Sequence, residues 1–82
     1  MKVWVAARSV DHAGLDQVEV FDSHAKARDC ITRMFGADKA SLDSEGYNYK
    51  ARATDSLIQL YVNRYRADEE RVEYEVIESE VQ

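Results

Sequence analysis

Val18-Glu19-Val20-Phe21-Asp22-Ser23-His24-Ala25-Lys26-Ala27-Arg28-Asp29-Cys30-Ile31-Thr32-Arg33-Met34-Phe35-Gly36 is the stretch that decides the fold. Its first residues alternate: Val18 and Val20 lie between Gln17, Glu19 and Phe21, the period of a strand. The period then changes. Ala27, Cys30, Ile31, Met34 and Phe35 recur at i, i+3, i+4, i+7 and i+8, which places all five on one stripe of a helix. At the junction, Asp22 or Ser23 can accept a bond from a free backbone N–H of the first helical turn. Gly36 stands where a left-handed residue would end the helix. The stretch predicts a strand running into a helix over about residues 23–35.

Working outward, Val3, Val5 and Ala7 alternate with Trp4 and Ala6, which predicts a first strand. Asp11 to Asp16 has turn composition, and so short a connection favours an antiparallel hairpin. Beyond the helix, 37–46 reads as a polar loop with Leu42 as its only large apolar residue. Tyr47, Tyr49, Ala51 and Ala53 alternate with polar residues and predict a third strand. Residues 57–66 admit two readings: Ile58, Leu60 and Val62 fit a strand face, whereas Leu57, Tyr61 and Tyr65 fit a helix. The tyrosines and β-branched residues favour the strand. From Arg71 to Val81 a last strand places Val72, Tyr74 and Val76 inward.

The expected architecture is a single α+β domain over residues 1–82, of order ββαβββ, with one helix packed on one face of a mostly antiparallel sheet. An amphipathic helix needs one apolar sheet face to cover. Val3, Val5, Val18, Val20, Ile58, Leu60, Val62, Val72 and Val76 are expected to supply it. The other face would then carry Trp4, Phe21, Tyr61, Tyr65 and Ile77. The sequence offers no second helix to cover them, so that face is expected to be open to water or to another protein.

At 82 residues the chain buries only roughly 60–65% of its unfolded surface, so its core is small. With 45% hydrophobic and 33% charged residues it has the composition of a globular protein rather than a disordered tail. No apolar run approaches the roughly twenty residues that cross a bilayer. The opening MKVWVAARSVD reads as a strand rather than a signal peptide. A single cysteine, Cys30, fits a reducing compartment, and the expected location is the cytoplasm.

The net charge of −5 is concentrated at one end. Asp68, Glu69, Glu70, Glu73, Glu75, Glu78 and Glu80 stand against Arg71 alone, a local −6, while the first sixty-seven residues carry +1. These acids alternate with Val72, Tyr74 and Val76, so one face of the last strand is charged. An acidic pI near 4.9 argues against general nucleic-acid binding, which usually needs a dense basic patch.

Reaction centres are hard to build from the remaining residues. His12 and His24 have no cysteine or histidine at ligand spacing, so no zinc motif is present and no metal or cofactor is expected. Cys30 sits in the apolar stripe, which makes it a core residue rather than a nucleophile. The serines lack a Gly-x-Ser-x-Gly context, and three dispersed glycines cannot form a phosphate cradle. The clustered acids lack the spaced ligand loop of a calcium site. The chain is therefore expected not to be an enzyme.

Two surface features remain. Lys50, Arg52, Arg64 and Arg66 come together if the third and fourth strands pair, close to Tyr49, Tyr61 and Tyr65. Cross-strand pairing with the last strand's glutamates is the expected use of these bases. Trp4, Tyr61 and Tyr65 are candidate anchors of a protein-binding face, with Glu73, Glu75 and Glu78 as its acidic component.

The run Val18-Glu19-Val20-Phe21-Asp22-Ser23-His24-Ala25-Lys26-Ala27, with the glutamate-rich Tyr74-Glu75-Val76-Ile77-Glu78-Ser79-Glu80-Val81, resembles a build found in small phage and mobile-element proteins of the anti-CRISPR type. The resemblance implies a non-enzymatic inhibitor that blocks a host defence complex by binding a protein subunit. Its acids would meet the lysines and arginines that normally hold nucleic acid. The alternatives from other classes are a small oligomeric domain that sequesters a nucleotide-like ligand, through Lys50, Arg52, Arg64 and Arg66, and a housekeeping homodimer joined through the open sheet face.

Overall fold

The helix starts where its capping residue puts it and runs ten residues further than the apolar stripe suggests. In a computed structural model of the chain, which describes residues 1–11, 13–63 and 69–81, α1 spans His24–Glu45. Ser23 is the N-cap: its backbone is extended and its hydroxyl accepts from the Lys26 N–H at 3.2 Å. Gly36, expected to stop the helix, lies exposed in its interior instead. A glycine there costs about 1 kcal/mol relative to alanine. Two residues of the expected loop offset that cost. Leu42 is buried in the core, and Asp38 accepts bonds from Arg8 and Tyr74 of the sheet. The stop is Gly46, whose φ of +78° is the left-handed conformation glycine adopts without strain. Its N–H bonds Asp43 O at 3.3 Å and the Tyr47 N–H bonds Leu42 O at 3.0 Å, the paired bonds of a Schellman motif.

The strands follow the expected order: β1 Lys2–Val10, β2 Gly14–Phe21, then α1, β3 Asn48–Ala53, β4 Leu57–Asn63 and β5 Glu69–Glu80. They form one five-stranded sheet of order β2-β1-β5-β4-β3 with every neighbouring pair antiparallel. The first two strands are the expected hairpin, with a register shift between Arg8 and Ser9. The stretch 57–63, ambiguous between helix and strand, is a strand, and its alternate residues Ile58, Leu60 and Val62 are buried. The long β5 pairs with β1 along one side and with β4 along the other, so it holds the two hairpins in one sheet.

The helix covers one sheet face. Beneath it lie Ala6, Ile58, Leu60, Val62, Val72, Tyr74 and Val76, packed with Ala27, Cys30, Ile31 and Leu42 of α1. On β4 and β5 these are the expected residues. On β1 and β2 the faces are the reverse of those expected. Ala6 pairs with Val76, and Trp4 pairs with Phe21, so Trp4, Ala6 and Phe21 lie on the helix side. Trp4 and Phe21 are half-buried against the core. Val3, Val5, Val18 and Val20 lie on the uncovered face. The small Ala6, fully buried, lets the helix approach the sheet centre closely.

Arg8 shares the helix side with Ala6, and its charge is answered there. Its Nε donates to Asp38 Oδ2 at 2.9 Å, and Nη1 pairs with Asp16. The same Asp38 oxygen accepts from the Tyr74 hydroxyl. The Arg8 guanidinium lies 6.0 Å from the Tyr74 ring centroid, and Phe35 meets that ring edge-on at 5.9 Å. Burial alone would lower the Arg8 pKa, but the Asp38 bond and the charges of Asp38 and Asp16 outweigh it and raise it. One charged cluster thus ties α1 to β1, β2 and β5.

Burial first, then the bond to Asp38, hold the Tyr74 phenol protonated well beyond its ordinary value of 10.0. Burial, then Glu19, raise the Cys30 thiol from 9.0 to about 11. Both groups ionise later in the folded chain than in the unfolded one. As pH rises past 9, the unfolded chain therefore binds fewer protons than the folded chain, and stability falls. Urea denaturation between pH 8 and 11 should show this fall beginning near pH 9 and steepening past 10. Tyr74→Phe should remove the steeper part; an unchanged profile in that variant would show that the phenol carries none of it.

Candidate interaction surface

The uncovered face is read off the strand register. Across β2, β1 and β5 one row is Val20, Val5 and Ile77. The next is Val18, Ala7 and Glu75, reaching Leu57 of β4. The third is Leu15, Ser9 and Glu73, continuing through Gln59 to Arg52. Beyond it Arg71, Tyr61 and Lys50 share a row. The face therefore divides into an apolar corner on β2, β1 and the end of β5, an acidic strip, and a tyrosine on β4 flanked by bases on β5 and β3.

Alternation explains why the corner is apolar. β1 carries small or branched apolar residues on both faces, and only one face can meet the helix. The open face continues onto β2 and β5, where aliphatic side chains stand in water: Leu15 and Val20 are each 62% exposed, Val18 49% and Ile77 43%. Val3 and Val5 beside them are half-buried. Scattered exposed aliphatics are ordinary on a protein surface, but a contiguous set marks a contact surface.

The sequence-predicted anchors are not all on this face. Trp4 is a correction: it packs on the helix side against the core, and its neighbours across the strands are Phe21 and Glu78. Glu78 shares that parity, so it lies off the open face, where it pairs with Lys2 at 3.0 Å. Tyr61 is on the open face and half-buried. Tyr65 lies outside the described residues, as do Arg64 and Arg66. Glu73 and Glu75 are both on the open face. Glu73 is held by Gln59 Nε2 at 3.2 Å and Arg71 Nε at 3.5 Å. Glu75 is exposed and has no ion-pair partner among the described residues. Val5, Val18, Val20 and Leu15 are the surface residues that sequence reasoning missed. β1 offers no local signal for them: its one internal charge, Arg8, stands in the helix-side set, where Asp38 and Asp16 answer it.

A second concavity lies on the helix side of the sheet edge. A groove of about 680 Å³ runs between β2 and α1, with Gln17, Glu19 and Phe21 on the strand wall and Cys30, Arg33 and Met34 on the helix wall. In it the Cys30 thiol donates to Glu19 Oε2 at 2.8 Å. The thiol is only 3% exposed. Its raised pKa keeps it protonated at neutral pH, which is the opposite of what a nucleophile needs. His24 lies against the Ser56 hydroxyl, 3.2 Å away, at the start of the helix. Among the described residues no group of three or more His, Cys, Asp and Glu side chains could hold a metal ion. Among them, too, no helix is long and apolar enough to cross a membrane.

Comparison with known proteins leaves the reading to the chain itself: no family model matches it, and neither a curated protein nor a solved structure does.

Proposed function

We propose that this chain is a cytoplasmic, non-enzymatic protein-interaction module that docks a protein partner through its uncovered sheet face. One observation carries the reading: the exposed Val20 and Ile77 share a row with the half-buried Val5, with the exposed Val18 and Leu15 beside it, on the face opposite the helix. Covering that corner removes on the order of 300 Å² of apolar surface from water, a gross gain of roughly 7 kcal/mol. Glu75 and Glu73 border the corner directly, which favours a partner whose apolar contact is flanked by lysine or arginine.

The finer form of the proposal is an inhibitor. A module that presents carboxylates to a basic surface competes with nucleic acid for it, as the resemblance to small phage inhibitors implies. Docking would then block a host defence complex sterically and electrostatically.

Capture from a host lysate, followed by binding measurements on the isolated pair, tests the docking face. Substituting Val20 and Ile77 together by lysine should abolish capture; undiminished capture would remove the face from the account. The acidic strip is tested separately. Glu73→Gln with Glu75→Gln should slow association about tenfold at low salt and flatten its salt dependence. Equal association rates for wild type and variant at low salt would show that the acids do not steer the encounter. The inhibitor form is read from whether nucleic acid and this chain exclude each other on the isolated partner. Simultaneous binding of both would rule out blocking.

A further inference from the structure

We infer that β2 accepts a sixth strand, donated by an extended segment of the partner in which apolar side chains alternate with lysines or arginines. The inference deepens the docking reading above and rests on it.

The two edges of the sheet are β2 and β3, and they are protected differently. Edge strands are normally guarded by charged side chains, above all lysine, by proline, by β-bulges or by short length, because their unpaired N–H and C=O groups template further pairing. The six-residue β3 carries Lys50 and Arg52. The eight-residue β2 carries no lysine, arginine or proline. It is regular from Gln17 to Phe21, where five successive residues pair with β1 without a break. Every residue of β2 before Phe21 is exposed. Of its two acids, Asp16 is ion-paired with Arg8, whereas Glu19, bonded to the neutral Cys30 thiol, keeps its charge.

What flanks this edge suits an added strand on both faces. Such a strand would lie about 4.8 Å beyond β2. On the uncovered side its alternate side chains would sit beside Val18 and Val20, where aliphatic groups extend the existing apolar corner. On the helix side the intervening side chains would enter the groove between β2 and α1. There, in a groove that Arg33 also lines, the aliphatic stem of a lysine or arginine can lie along Phe21 and Met34 while its head reaches Glu19. Glu19 has an oxygen to offer, since the thiol engages only Oε2. The alternation of the donor strand follows from these two environments.

Charge decides against a second copy as the donor. Any two-fold pairing of β2 with itself brings the two Glu19 carboxylates to the paired strands, while each Asp16 stays paired with its own Arg8. Pairing centred on Glu19 sets the two Glu19 side chains directly opposite each other. Each copy also carries a net charge of −5. A basic donor removes the repulsion that a second copy creates.

Amide hydrogen exchange on the intact protein tests this directly. The probes are three synthetic heptapeptides: alternating lysine and valine, alternating glutamate and valine, and the lysine–valine peptide with alternate backbone nitrogens methylated. The lysine–valine peptide should slow exchange at the β2 amides facing away from β1 by at least tenfold, and less so at high salt. The other two should leave those amides unchanged. Unchanged β2 exchange with the lysine–valine peptide would overturn the inference, as would equal protection by all three. Protection that grows with protein concentration alone would replace the proposed donor with a second copy. If the peptide fails while lysine at Val20 and Ile77 still abolishes partner capture, strand addition is lost and face docking stands. If β2 is protected by the partner while that capture is unaffected, the edge is the contact and the face is not.

Discussion

Asp38→Ala is expected to destabilise the fold by about 3 kcal/mol, the largest effect of any single polar substitution in this chain. The carboxylate is the point where two sheet groups meet the helix: Arg8 donates to it at 2.9 Å, and the fully buried Tyr74 donates its hydroxyl to the same oxygen. Removing it leaves a buried phenol without its acceptor and a guanidinium, largely shielded from water, with only Asp16. Hydrogen bonds to charged groups contribute about 1.5–3 kcal/mol each, and part of the loss is recovered by water entering near the half-exposed helix side. A domain of this size has a total stability of roughly 4–12 kcal/mol, so the change is a large share of it. Urea denaturation followed by circular dichroism measures it. Tyr74→Phe should cost about 1 kcal/mol, because it removes the hydroxyl while keeping the ring against Phe35. The double variant should fall short of the sum by about 1 kcal/mol, since each single change already breaks the shared bond. A loss under about 0.5 kcal/mol for Asp38→Ala would mean that water already serves these groups, and that the helix is held by its apolar stripe alone.

The same residue shows where the sequence stops being legible. The start of α1 could be read because its determinants are local: a capping serine, then an apolar stripe at i, i+3 and i+4. Its second half could not, because an aspartate in the stripe position reads as an interruption until Arg8 and Tyr74, distant in sequence, are brought opposite it. Gly36 reinforced the misreading, since a glycine after an apolar stripe is the usual sign of a helix end, and only the burial of Leu42 one further stripe position along argues otherwise. The succession of strands and helix along the chain was readable from turn composition and alternation. The face of the middle of β5 was also readable, because Glu73 and Glu75 on one side and Val72, Tyr74 and Val76 on the other leave no choice. β1 gives no such contrast. Val3, Val5 and Ala7 are as apolar as Trp4 and Ala6, so nothing local says which set meets the helix. Pairing of Ala6 with Val76 settles it, and pairing is a long-range fact. The candidate surface inherits this error: Glu73 and Glu75 lie on the open face as expected, whereas Trp4 and Glu78, opposite each other across β1 and β5, both lie on the helix side.

Lysine at both Val20 and Ile77 is expected to weaken partner binding at least 100-fold, equivalent to about 2.7 kcal/mol, while leaving the fold intact. The two residues occupy one cross-strand row with Val5 between them. They are 62% and 43% exposed, so lysine can be accommodated at each without a buried charge, and a stability change within about 0.5 kcal/mol per site is expected. In a complex the same two positions lie at the centre of the apolar corner. There each lysine must either lose its hydration or hold the partner away, and two such penalties in one row readily exceed 2 kcal/mol. The added positive charge also opposes the basic partner that the acidic strip favours, so the attractive and the repulsive consequences act in the same direction. Lysine at both Ala37 and Ala40, exposed on α1, is the matched control: it adds the same charge on the helical side and should bind as wild type does. Loss of binding in both variants would assign the effect to net charge alone. Loss in neither would show that the aliphatic corner is surface without a partner. Loss confined to Val20 and Ile77, with unfolding curves that superimpose on wild type, is the result that the exposed row demands, because no change in net charge or stability then separates the two proteins.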